Sequence, residues 1–458
     1  MGLRGSSRSA GLVAAIVAVS VMAGVSTTAS AAPTWTGPVT LGQTGRESGP
    51  PQIAVTPDGE AVVVWEGGRP NGIQVTSRRP GRGWKHPRTL ARSSESAPQI
   101  AATRQKAVVV WSDEIRTRGS EASVVFAATR LRGGRWSRPE NISAERKWRF
   151  EPEGSEPQVA ITRRGEAIAM WTAGDEGHST TPFIRSATQP LGRGWTSPVG
   201  LRGSIEGQGP QVGVTPGGEA VAIWHAFYNE ESGIEVASRP AGGKWSRVKR
   251  LANPGAFPDP QLAITPRGEA VAAWEYEEGP GNGLQVATRK PGSRWGVRTF
   301  APQEHERFFA SRIVTEPGGA AAVVWSRSRL AGKEEVMVAS HPRGGDWTEP
   351  ASLFGEEIEA DFPAIAVTRS GEWIAVWKSV GPGGRSVIRA SSRPRGQPWG
   401  PPVHLSSWPA ASLPESAAPR IAVAPNGEAV AVWRRYDGTR WVIQAATRAG
   451  SRNLSVRR

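Results

Sequence analysis

Residues Pro210–Leu251 read PQVGVTPGGEAVAIWHAFYNEESGIEVASRPAGGKWSRVKRL, and four short β-type runs are legible in them. PQVGVT, GEAVAIW and GIEVASR are rich in β-branched and small apolar residues, and a fourth run opens at Trp245. Thr-Pro-Gly-Gly separates the first two runs and Pro-Ala-Gly-Gly the last two, both compositions that reverse a chain tightly. The unit recurs along the chain. A Trp ends the second run at Trp65, Trp111, Trp171, Trp224, Trp274, Trp325, Trp377 and Trp433, at spacings of 46 to 60 residues. Periods of this size belong to propellers and solenoids.

A second Trp opens the fourth run at Trp84, Trp136, Trp195, Trp245, Trp295, Trp347 and Trp399. The last repeat has Leu454 there, while Trp35 stands near the start with no first three runs before it. The two ends together make one repeat. Such a split repeat closes a ring of sheets and removes the exposed edges of an open array. The expected fold is all-β: an eight-bladed β-propeller of four antiparallel strands per blade. The blades span about 51–91, 98–142, 157–201, 210–251, 260–300, 311–353, 363–405, and 419–450 plus 34–41, in one domain covering 32–458. Both faces of each sheet are then buried, which accounts for unbroken apolar runs such as AVVVW and AVAIW.

A register follows from aligning the hairpins. Glu60 is set opposite Arg78, and Trp65 opposite Ile73. The same offsets pair Glu219 with Arg239, Glu269 with Arg289, Glu372 with Arg393 and Glu428 with Arg448. They place an apolar residue opposite every second-run Trp: Ile73, Val125, Ile184, Ile234, Leu284, Val336, Ile388 and Ile443. Where the Glu is lost, Ala320 faces His341, Lys106 faces Arg130 and Glu166 faces Gln189. The Glu–Arg pairs and the Trp read as structural.

The 458 residues are 38% hydrophobic and contain no Cys, so disulfides and thiolate chemistry are excluded. Arg4 and Arg8, the apolar run 12–25 and Ala29-Ser30-Ala31 form a signal-peptide pattern over residues 1–31. A secreted or wall-associated protein is expected, with no membrane span in the mature chain. The net charge of +15 is carried mainly by Arg, spread over all repeats. It suits an anionic partner such as a glycan or wall polymer; nucleic acid is not expected. A protein partner is the other possibility.

Uniform turns join runs one to two and three to four at one end of the blades. The other two kinds of connection vary in length and share the opposite end, where function is expected. That face gathers Tyr228, Tyr276 and Tyr436, with His225, Glu275, Arg434 and Arg435 directly after their Trp. It also takes Lys147–Phe150 and His305, Phe308 and Phe309. The first run opens with Gln52, Gln99, Gln158, Gln211 and Gln261, but with Arg312, Ala364 and Arg420 in the other repeats, and Asp259 stands beside Pro260. Two Arg replacing Gln at the mouth of a central channel are suited to gripping a carboxylate. The candidate ligand-binding residues are therefore Arg312, Arg420, His225, Tyr228, Asp259, Glu275, Tyr276, Arg434 and Tyr436. No metal-ligand spacing or phosphate-binding loop is present, so no metal and no cofactor are expected. The acidic pairs Glu230-Glu231, Glu277-Glu278 and Glu356-Glu357 read as solvated charge.

The turn between the third and fourth runs resembles the Asp-box repeat of sialidase-like propellers, Ser/Thr-x-Asp-x-Gly-x-Thr-Trp. Ser238, Gly242 and Trp245 keep its spacing, as do Thr129, Gly133 and Trp136, and Ser340, Gly344 and Trp347. The Asp itself is replaced by Arg79, Leu131, Pro190, Pro240, Lys290, Pro342 and Pro394. The units also look like the PQxAVTPxGEAVAVW repeats of exported bacterial proteins. The resemblance implies propeller architecture; the function expected of it is non-catalytic binding of an extracellular ligand, a glycan or anionic wall polymer, through the variable-loop face. Alternatives are a sialidase-like glycoside hydrolase or lyase and a structural or protein-docking scaffold. The sialidase set of an arginine triad, an acid Asp and a Tyr–Glu pair does not map onto this chain.

Overall fold

The computed structural model describes residues 34–450 apart from residue 47 and segments 69–71, 93–97, 118–119, 145–153, 176–178, 202, 204–205, 229–230, 256–257, 279–280, 303–305, 330–333, 354–359, 382–384 and 407–417. At several strand ends next to these segments, Tyr228 included, only the backbone is described. The signal-peptide pattern lies outside the described residues. No helix among the described residues is long and apolar enough to cross a membrane.

Every regular element described is a β-strand. The first repeat runs Gln52–Val55, Ala61–Gly67, Gly72–Arg78 and Arg88–Arg92, a four-stranded antiparallel meander. Six sheets of this kind are present. A seventh, eight-stranded sheet joins the fifth and sixth repeats through one parallel contact, Asn282 with Arg307. In the last repeat the strands Arg420–Val423, Ala429–Tyr436 and Trp441–Arg448 are completed by Val39–Gln43 from the chain start. Trp35 bridges Arg448 as Trp136 bridges Arg130. This is the sheet architecture of a β-propeller.

The reversals explain the spacing of the sequence. In the first turn of seven repeats a Gly such as Gly59 (φ 86°) or Gly218 (φ 90°) takes the left-handed conformation, and its N–H closes on the carbonyl three residues back. In the turn before the fourth strand, the carbonyls of Arg79, Leu131, Pro190, Pro240, Lys290, Pro342 and Pro394 accept the closing hydrogen bond, and a left-handed Gly stands two residues on. The backbone alone closes this type II turn. That is why the Asp of the Asp-box pattern can be absent from all seven.

The hairpin register differs from the sequence expectation by one residue. Trp65 lies opposite Gln74, Glu66 opposite Ile73 and Ala61 opposite Arg78, and the same displacement holds in every other repeat. Hydrophobic pattern fixes register only when one face meets water. Here Ala61–Trp65 is buried on both faces, so a one-residue slip exposes nothing and the pattern does not discriminate. The apolar set is not opposite its own Trp; it packs on the Trp of the next repeat. Ile73 shares a core with Trp111, Val125 with Trp171, Ile184 with Trp224, Ile234 with Trp274 and Leu284 with Trp325. Val336 shares one with Trp377, Ile388 with Trp433, and Ile443 with Trp65 of the first repeat. Trp35 joins the core of Trp433, the place Trp84 takes beside Trp65.

The Glu–Arg pairs are corrected likewise. They do not lie within a hairpin but reach from the Glu of one repeat to the third-strand Arg of the next. Arg130 meets Glu60 at 2.9 Å, Arg239 meets Glu166 at 2.9 Å and Arg289 meets Glu219 at 2.8 Å. His341 Nε2 meets Glu269 at 3.4 Å and Arg448 Nη1 meets Glu372 at 3.2 Å. Arg78 of the first repeat meets Glu428 of the last at 2.6 Å. Lys106 departs from the scheme: its ammonium donates to the Gln189 side chain (2.9 Å) and carbonyl (3.1 Å), and burial lowers its pKa to about 8.

These latches are mostly buried, so removing one partner strands the other charge. Glu428→Gln is expected to cost about 1–3 kcal/mol of unfolding free energy. A double-mutant cycle should give coupling between Glu428 and Arg78 and none between Glu428 and Arg448. The reverse result, read from denaturant midpoints, rejects the inter-repeat pairing.

Candidate ligand-binding site

In four repeats the described first strand is half-buried along its length, unlike the second strand of the first repeat. The residue that opens the first run of each repeat faces a shared space. Gln52, Gln99, Gln158, Gln211, Gln261, Arg312, Ala364 and Arg420, one from each repeat, line a single cavity of about 390 Å³ together with Asp259. The Gln-to-Arg replacements seen in the sequence are thus brought into one site.

Each guanidinium spends one N–H on its own backbone: Arg312 Nη1 on Ser311 O (2.7 Å) and Arg420 Nη1 on Pro419 O (3.1 Å). Neither forms an ion pair within 4.0 Å of Asp259 among the described residues, although both act on it at longer range. Burial first, then repulsion from Arg312, lowers the Arg420 pKa to about 9. It remains a cation at neutral pH. Burial also pushes the Asp259 carboxyl upward, with Glu156 adding to the rise and Arg312 and Arg420 opposing it. Glu275 is raised by burial and by Asp259, and its Oε1 accepts from Ser311 N at 3.2 Å. The cavity is polarised, with Asp259 of the fifth repeat set against guanidinium groups from the sixth and eighth, and Glu156 of the third repeat acting on Asp259.

Glu156 was not among the sequence candidates. It has a left-handed backbone (φ 52°), unusual for a non-glycine residue. Its Oε2 accepts from Thr172 Oγ1 (3.1 Å) and from Gly209 N (2.8 Å), and these contacts hold the unfavourable conformation. The signal was present in the repeat: Glu156-Pro157-Gln158 aligns with Asp259-Pro260-Gln261. Ala310 (φ 55°) and Phe362 (φ 50°) occupy the same place in two other repeats. There, as in the third and fourth repeats, the first strand is extended through a bulge.

The remaining candidates are not in this cavity. His225 is buried, with Nε2 2.8 Å from Ser232 Oγ and its ring 4.1 Å from that of Phe227; burial lowers its pKa to about 4. Tyr276 is buried over Gly283, where a Cβ would come within 2.5 Å of its ring. Tyr436 lies opposite Trp441 in the hairpin, its ring tilted at 53° with centroids 5.6 Å apart. Arg434 donates to Ser48 O and Gly45 O and lies 4.7 Å over Trp441, tying the last repeat to the segment that enters the first. These residues break the repeat in sequence, and in the structure they make the contacts above and do not line the cavity of Arg312 and Arg420. The Tyr228 side chain, Lys147–Phe150 and His305 lie outside the described residues. No group of three or more His, Cys, Asp or Glu suited to a metal ion occurs among the described residues.

No protein-family model matches the chain, and no curated protein sequence matches it. Solved structures with a similar fold include the BP39L lectin from Burkholderia pseudomallei, at 13% identity and a TM-score of 0.48 over 80% of this chain and 100% of the lectin. A polysaccharide lyase of family PL25, an ulvan lyase, aligns at 9% identity and 0.47 over 77% and 91%. A protein of unknown function from Dyadobacter fermentans aligns at 13% and 0.41 over 66% and 95%.

His225 generates a pH prediction. Its folded pKa lies below the unfolded value of 6.5, so the unfolded chain binds the extra proton between pH 6.5 and 4. Stability falls as pH drops through that window, by on the order of 2–3 kcal/mol at its acid end. His225→Gln should flatten the melting-temperature profile there, measured against wild type in the same buffers. An unchanged slope contradicts the assignment of a buried neutral imidazole.

Proposed function

We propose that the chain is an exported, closed eight-bladed β-propeller that binds an anionic saccharide at the mouth of its central channel without transforming it. Closure is supported by the bonds between the chain's two ends: Glu428 with Arg78, Arg434 with the carbonyl of Ser48, and a joint core of Ile443 and Trp65. Export is supported by the pattern over residues 1–31.

One observation carries the binding reading: Arg312 and Arg420 converge on a cavity otherwise lined largely by Gln, without a close carboxylate partner among the described residues. Two guanidinium groups so placed match the oxygens of a carboxylate or sulfate. The Gln amides offer donors and acceptors for sugar hydroxyls. An uronic acid or a sulfated sugar satisfies both.

Binding of acidic oligosaccharides to the purified protein, measured by calorimetry, tests this. Arg312→Gln and Arg420→Gln should each weaken binding by about tenfold or more, the loss of a charge-assisted hydrogen bond. Neutral oligosaccharides should bind no better than they do to the double variant. Binding that both substitutions leave intact removes the mouth as the site.

A second reading rests on the upward-shifted carboxyls of Asp259 and Glu275 beside the guanidinium pair, a pattern that also suits a general acid in a hydrolase or lyase. Release of reducing ends or unsaturated product from an acidic polysaccharide, abolished by Asp259→Asn, would favour catalysis over simple binding.

A further inference from the structure

The inter-repeat latch is broken between the sixth and seventh repeats. Ala320 stands where Glu60, Glu166, Glu219, Glu269, Glu372 and Glu428 stand elsewhere, so Arg393 has no carboxylate at its latch position. Arg393 lies instead 4.6 Å over the ring of Trp373 and 5.6 Å from that of Trp399, and burial lowers its pKa against the opposing pull of Glu316. Glu316 in turn accepts the Trp373 indole N–H at 2.7 Å. The volume that a latch Glu would occupy is part of a cavity of about 490 Å³ on the turn face, larger than the central one.

Three further guanidinium groups line this cavity, each from a different turn: Arg267, Arg343 and Arg395. All three are exposed, and none forms an ion pair among the described residues. Four cations and one carboxylate therefore face one space. The cavity between the first and second repeats is a useful contrast. It is also basic, but Arg130 and Lys85 pair with Glu60, and Arg132 lies 3.9 Å from Asp58. Two of its lining cations, Arg130 and Arg132, thus have a carboxylate within 4.0 Å, whereas among the described residues none of the four at the sixth–seventh junction does. Converging like charges repel, and an anion relieves the repulsion.

We propose that this cavity is a second binding site, separate from the central mouth, for a phosphate or sulfate group. Arg343 and Arg395, from neighbouring repeats, clamp the oxyanion from the solvent side. Arg393, held by its two indoles, forms the floor, and Arg267 closes the rim. The volume also admits a sugar ring carrying the charged group.

The direct probe is inorganic phosphate, measured by equilibrium dialysis at constant ionic strength, with inorganic sulfate as competitor. A hexose 6-phosphate then distinguishes a free ion from an ester: tighter binding of the ester assigns the remaining volume to the sugar, and equal binding assigns the site to the ion. Arg343→Gln with Arg395→Gln should lower phosphate affinity about tenfold or more, while Arg312→Gln with Arg420→Gln should leave it unchanged. Ala320→Glu restores the latch carboxylate beside Arg393; it should raise the melting temperature and abolish phosphate binding together. The proposal is overturned if phosphate does not bind the wild type, or if binding survives both Ala320→Glu and the Arg343/Arg395 pair. It is equally overturned if only the Arg312/Arg420 pair removes binding, which would place the anion at the central mouth.

Discussion

A sheet with two apolar faces needs a neighbour on each side, and the rest of this structure follows from that requirement. The second-strand Trp of each repeat is too large to be buried within its own sheet. It projects toward the preceding repeat and packs on that repeat's Ile73-type residue. The next residue along projects the other way, toward the repeat that follows. Thus Ser326 donates to Asp361 at 3.3 Å, and Glu275 accepts from Ser311 N. The Glu–Arg latches join the same neighbours at the turn face. Six junctions thus combine an apolar centre with a Glu–Arg or Glu–His latch, and each repeat draws part of its stabilisation from its neighbours.

This shared burial also decides what the sequence makes legible. Strand number, turn positions and the union of the two chain ends can be read directly. Trp and Gly recur at fixed offsets, and each has a steric reason to do so. Register cannot be read in the same way, because both alternatives bury equally apolar residues. The Glu–Arg sets were visible, but their partners depend on how one sheet faces the next, which no spacing within a hairpin encodes. The left-handed residues were hidden for a related reason. Only Gly209 advertises such a conformation, while Glu156 is held in it by Thr172 and Gly209 of neighbouring strands. Those contacts exist only after the repeats have packed.

Departures from the repeat fall into two kinds. Some are absorbed by packing: Arg434 anchors the entering chain, His225 sits neutral beside Ser232, and Tyr276 covers Gly283. These changes exchange one interior contact for another and leave no excess charge. Others leave charge without a local counterpart. Arg312 and Arg420 replace Gln at the mouth, and Ala320 removes the carboxylate that would neutralise Arg393. Charge at a half-buried position costs stability, and at neither place does a described carboxylate come within 4.0 Å of the guanidinium group to offset it.

That distinction separates candidate sites from decoration better than loop variability does. The cavity of Arg312 and Arg420 is lined by first-strand residues at the ends away from the uniform turns. The larger cavity, however, lies among the uniform turns, whose backbone is the most regular part of the repeat. A turn closed wholly by its own amides, with Gly supplying the left-handed residue, leaves the side chain beside that Gly free of structural duty. Arg267, Arg343 and Arg395 occupy such positions. The regular turn fixes where each guanidinium starts without using any of its donors, so adjacent repeats can bring several to one junction at little cost to the fold. Regularity of backbone and novelty of surface are therefore compatible on the same face.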